Sequence, residues 1–125
     1  MGYRVVDADD VEPEPDRPCA LRRLATAGGL SSMAVNRFSP EPGEQLPLAY
    51  HYHDEQEEAF YVLSGTVHVE TPDRTYELGP DDFFAVDPES PQRAFCPADA
   101  DGPADVLAVG VPPVSDDAHA YEPDG

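Results

Sequence analysis

Turn-forming residues cut this chain into pieces too short for long helices. Gly28-Gly29, Ser39-Pro40-Glu41-Pro42-Gly43, Ser64-Gly65 and Pro72-Asp73-Arg74 punctuate it. Each break carries residues that fix φ, tolerate positive φ or hydrogen-bond their own backbone. Between the breaks, Cys19–Ala25, Leu30–Phe38, Leu46–His53, Phe60–Leu63, Thr66–Thr71, Thr75–Leu78, Arg93–Cys96 and Val106–Val111 read as strands, by alternation or as short apolar runs. Many short strands with regular turn signals argue for an all-β sandwich or barrel. A chain of 125 residues is enough for one such domain. The expected division is an extended arm over residues 1–18, which carry VEPEPDRP, a β-barrel over 19–111 and a tail over 112–125.

The chemistry concentrates in His51–Gly65, HYHDEQEEAFYVLSG. In a strand, side chains alternate between faces, so His51 and His53 share one face and Tyr52 points the other way. A tight turn over Asp54–Gln56 is expected to bring the next strand back alongside, with Glu57 or Glu58 facing the imidazoles. Two histidines and one carboxylate converging in this way form a minimal site for a divalent transition metal. An HxH pair alone is more often an exposed pair than a ligand pair, so the acid decides the reading.

The spacing His51-x-His53, four residues, Glu58, six residues, Gly65 resembles the first motif of the cupin family, and it selects Glu58 over Glu57. Gly43 stands for the motif's leading glycine, with seven residues before His51 instead of five. The resemblance implies a double-stranded β-helix, or jelly roll, with one divalent ion (Fe, Mn, Ni or Zn) held by His51, His53 and Glu58. Phe60 and Val62 share the face of Glu58 and are expected to line the pocket.

Gly79–Phe95 resembles a worn copy of the family's second motif. With Asp81 on the motif's first glycine, Asp87 falls on its proline, Glu89 on its second glycine and Gln92 on its histidine. That histidine is the family's fourth ligand. Gln92 offers a neutral carbonyl oxygen instead, a harder and weaker donor than imidazole. It is expected either to coordinate directly or to hydrogen-bond a metal-bound water or the substrate. His68, between Val67 and Val69, and His119, with no partner at ligand spacing, are expected at the surface.

Composition bounds the partners. Twenty-six acids against seven arginines and no lysine give a net charge of −19, which repels nucleic acid and anionic membrane. The acids are spread through loops and termini. They read either as an acidic interaction surface or, preferably, as a halophile's adaptation to salt that screens self-repulsion. The N-terminal residues lack a secretory pattern and no apolar run is long enough to span a bilayer, so the expected location is the cytoplasm. Cys19 and Cys96 are expected to be reduced. Open sheet edges suggest a homodimer. Only Arg37 and Arg93 present themselves as pocket cations, which disfavours a highly phosphorylated substrate. Two functions fit: a dioxygenase- or isomerase-type enzyme acting on a small organic molecule, or a non-enzymatic ligand-binding or sensing module with a degenerate metal site.

Overall fold

The computed structural model describes residues 2–46, 49–113 and 117–122. It is built from ten strands: β1 Ala20–Arg23, β2 Ala34–Ser39, β3 His51–His53, β4 Glu57–Ser64, β5 Val67–Glu70, β6 Thr75–Leu78, β7 Phe83–Val86, β8 Arg93–Phe95, β9 Asp105–Val111 and β10 Ala118–Ala120. The helical content is one four-residue helix, α1 Leu24–Ala27, and a single 3-10 turn at Ala8–Asp10. No described helix is long and apolar enough to cross a membrane.

One layer is a five-stranded antiparallel sheet in the order β1-β2-β9-β4-β7. The other comprises β6-β5-β8 and the pair β10-β3, joined by single bridges between Gln45 and Phe95 and between His51 and Gln92. The result is an all-β jelly roll. Inward residues follow the period of two: Val106 and Ala108 on β9, Phe60 and Val62 on β4, and Val67 and Val69 on β5 are buried, while the residues between them are more exposed. Leu21, Phe38, Leu78, Val86 and Ala94 join them in one cluster drawn from both layers, which is how two half-solvated sheets hide their apolar faces.

Two turns show where backbone conformation is demanded. Gly65, after β4, has φ +80°, and a Cβ there would stand 2.6 Å from Ala104 Cα, so only glycine fits. Asp81 and Glu89, aligned above with glycines of the second motif, hold φ of 71° and 66°. The left-handed turn is kept at both places although the glycine is not.

Three expectations change. First, β3 and β4 do not form a hairpin. β3 pairs with β10 on one side and with the Glu89–Gln92 turn on the other, through Glu89 N–H to His53 O (2.6 Å) and reciprocal bonds between His51 and Gln92 (3.1 and 2.8 Å). β4 pairs with β7 and β9. The histidines and the acid therefore come from opposite layers. Second, the segment expected as a tail supplies β10. Its residues 114–116 and 123–125 lie outside the described residues, as do Pro47 and Leu48 of the expected strand Leu46–His53. Third, Phe83–Val86 is a full strand and forms one edge of the five-stranded sheet.

Candidate metal centre

β3 is only three residues long, yet it buries both imidazoles, with His51 9% and His53 7% exposed. Each ring is oriented by its Nδ1 atom. His51 Nδ1 donates to the carbonyl oxygen of Ala49 at 2.7 Å, and His53 Nδ1 to Asp117 Oδ1 at 2.7 Å. Carbonyl and carboxylate oxygens only accept, so each Nδ1 carries a proton, and it is Nε2 of each ring that is turned toward Glu58 and can give up its own proton to a metal. Asp117 is itself held by its other oxygen, which accepts the backbone N–H groups of Glu55 and Gln56 at 3.1 Å each.

Glu58 reaches in from β4. Its Oε1 lies 3.4 Å from His53 Nε2 and 3.8 Å from His51 Nε2, close enough to attract without forming good hydrogen bonds. Opposite Glu58 in the ladder stands Gly110, where a Cβ would meet the Gln56 amide at 2.6 Å. Gly110 thus leaves room for Gln56, whose Nε2 donates to Pro112 O. Gln92, set beside His51 by the backbone bridge, points its Nε2 at Glu58 Oε1 across 3.4 Å.

The electrostatics follow from this packing. The neighbouring Glu58 carboxylate raises His53 to about 9; burial works against it, and Asp117 reinforces it. Burial pushes Glu58 up, but the two imidazoles overcome this and hold it at about 2. Asp117 is likewise held below the usual carboxylate range, against its burial, by His53 and the two backbone N–H groups.

Three buried atoms in this cluster have no hydrogen-bond partner: His51 Nε2, His53 Nε2 and Gln92 Oε1. Buried polar atoms are rarely left unmade, since each costs about 1–3 kcal/mol. One ligand atom from each of His51, His53 and Glu58 lies within 4.8 Å of the other two. Two imidazole nitrogens, a carboxylate and a nearby amide oxygen are the donors that divalent transition metals take. The residues fit such an ion.

The cluster faces a cavity of about 410 Å³. Its walls are mostly apolar, including Leu21, Phe38, Leu46, Phe60 and Ala94. Phe60 lines this space, whereas Val62, two residues further along the same face, is fully buried in the core and does not. Arg37 and Arg93 are also absent from the wall; they pair with Asp105 and Glu70. Arg17 and Arg23 line it instead. His68 is half-buried, with its ring edge-on to Phe95, and His119 is exposed and bonded to Asp54. Asp117 and Arg17 escaped sequence reasoning: Asp117 meets His53 across 64 residues of chain, and no local pattern marks either.

The sequence profile of the cupin domain matches residues 36–110, a span that contains the histidines, Glu58 and Gln92. The chain belongs to the cupin family. This cupin is similar to the polyketide synthase CurC of Streptomyces cyaneus, with 31% identity over 143 aligned positions covering 97% of this chain and 87% of that protein. Among solved structures it is similar to a sugar phosphate isomerase of the cupin superfamily from Silicibacter pomeroyi, with TM-score 0.75, 29% identity and coverage of 86% of this chain and 75% of that one. The polyketide cyclase RemF from Streptomyces resistomycificus shares the fold, with TM-score 0.73, 24% identity and coverage of 92% and 89%.

Proposed function

We propose that this cupin binds one divalent transition metal through His51, His53 and Glu58 and acts as an isomerase- or cyclase-type enzyme on a small, largely apolar carbonyl compound. The observation that carries the metal is the set of buried, partnerless atoms converging in the barrel, His51 Nε2, His53 Nε2 and Gln92 Oε1, beside the Glu58 carboxylate. The apolar cavity and the likeness to a polyketide synthase support the substrate class. A polyketide, like an open-chain sugar, carries carbonyl groups with acidic neighbouring C–H bonds, so proton movement next to a carbonyl is the chemistry proposed for this site.

A bound metal would supply Lewis-acid polarisation of a substrate oxygen. The protein's own part is to hold both Nε2 atoms inward through Ala49 and Asp117, to place the Glu58 charge beside them, and to exclude water with Phe38, Leu46 and Phe60. Gln92 Oε1 is available to the ion or to a substrate hydroxyl.

A second reading, ligand binding without catalysis or metal, rests on Gln92 itself: its amide N–H faces Glu58 where the family's motif carries histidine. Elemental analysis of protein purified in high salt decides between them. The first reading expects one equivalent of metal, lost in Glu58→Ala and His53→Ala and kept in Glu57→Ala. A metal-free protein with no affinity in chelator competition would overturn it.

A further inference from the structure

Six of the seven arginines are engaged by other parts of the protein. Arg4 and Arg22 donate to the carbonyl oxygens of Gly28 and Val11, and Arg23, Arg37 and Arg93 pair with Glu14, Asp105 and Glu70. Arg74 lies over the Tyr76 ring. Arg17 alone has no hydrogen bond, ion pair or ring contact among the described residues. In a chain with 26 carboxylates, a guanidinium without one stands out, and it lies on the wall of the cavity that holds His51, His53 and Glu58.

Its position is restricted by the chain. Pro18 follows it and confines residue 17 to extended backbone, and Cys19, one step further, is buried in the core. Arg23, the other cation on this wall, is neutralised by Glu14 at 2.7 Å. The three side chains together carry a net charge of +1. A guanidinium binds a carboxylate through two parallel N–H···O bonds, and a charge of +1 balances a monoanion but not a phosphate dianion. The surrounding surface, at net −19, repels anions at long range, so an anionic ligand would need such a local cation.

We infer that the substrate carries a carboxylate, which Arg17 anchors at the cavity wall while the carbonyl end reaches the His51–His53–Glu58 cluster. This rests on the proposed function for its carbonyl end alone. A surface residue of the expected extended arm thereby becomes a specificity element.

Three aryl probes test the inference by calorimetry at one fixed ionic strength: benzoylacetone, its analogue with a para carboxylate, and its analogue with a para phosphate ester. Wild-type protein is expected to bind the carboxylate about tenfold or more tightly than the neutral diketone, the increment of a charge-assisted pair. In Arg17→Gln that preference disappears, while the thermal midpoint and metal affinity stay as in wild type. Equal binding of acid and neutral probes by wild type, or a preference that survives Arg17→Gln, overturns the inference. A stronger preference for the phosphate overturns the carboxylate class. Repeating the pair on metal-free protein separates the two proposals. A diketone contribution that survives metal removal, with the acid preference intact, faults only the metal, whereas a diketone contribution lost with the metal but no acid preference in either form faults only Arg17.

Discussion

His53 Nδ1 stands 2.7 Å from Asp117 Oδ1, so a candidate ligand on β3 is oriented by a residue one step before β10. The same carboxylate caps the N–H groups of Glu55 and Gln56, which fixes the loop between His53 and Glu58. One side chain thus sets both the tautomer of an imidazole and the path of the chain that leads to the acid.

Asp117→Asn is therefore expected to weaken metal binding by roughly 10–100-fold, the usual cost of losing a partner that orients a ligating histidine. Chelator competition measures it. Asp117→Ala adds an unfolding penalty through the two freed N–H groups, which separates positioning from stability. Unchanged affinity in Asp117→Asn would mean that the ring is oriented without the carboxylate.

Gln92→His places an imidazole where a neutral amide now lies beside Glu58. Near neutral pH most of that histidine is uncharged and is a better donor to late transition metals. Nickel or zinc should bind about tenfold more tightly, roughly 1.4 kcal/mol, with the fold retained. An affinity identical to wild type would show that the side chain at 92 does not reach the ion.

Asp105 provides a pH signature away from the metal centre. Burial pushes its pKa up, but the Ser39 hydroxyl, Arg37 and Ser64 outweigh it and hold the carboxyl below its ordinary value. A carboxylate depressed in the folded state stabilises fully above its unfolded pKa, about 3.9, and loses that contribution as pH falls through the folded value. The stability difference between wild type and Asp105→Asn should be constant from neutral pH down to about 5 and shrink below about 4. Denaturant titrations across pH would show it; a difference that grows on acidification contradicts the network.

Net charge −19 on 125 residues leaves carboxylates repelling one another over most of the surface. At 1 M salt the screening length is only about 3 Å, so the thermal midpoint should climb steeply from low to molar KCl. A flat profile would remove the proposal that this acidity serves a salt-rich setting.

The convergence of His51, His53 and Glu58 was legible because it is local: two residues on one face, then an acid at a family spacing, all before the Gly65 turn. Strand limits such as Thr75–Leu78 were legible for the same reason, since alternation is written in neighbouring positions. Pairing was not. Period two tells which face His51 occupies but not which strand lies beside it, and proximity in sequence suggested β4 where the fold uses β10 and the Glu89–Gln92 turn. β10 is Ala-His-Ala, with no apolar pattern to announce it, and Arg17 lies in a proline-rich stretch that read as an extended arm apart from the barrel. In each of these cases the deciding contact is long-range.

The Asp117–His53 bond closes 64 residues of chain, and that span sets an order of events. As the protein is synthesised, His51, His53 and Glu58 emerge long before Asp117. Until β10 docks, the His53 ring lacks the partner that aims it, and the loop before Glu58 lacks its cap. The candidate site is therefore complete only once β10 has docked, so His53 and the loop before Glu58 depend on one of the last strands of the chain to leave the ribosome.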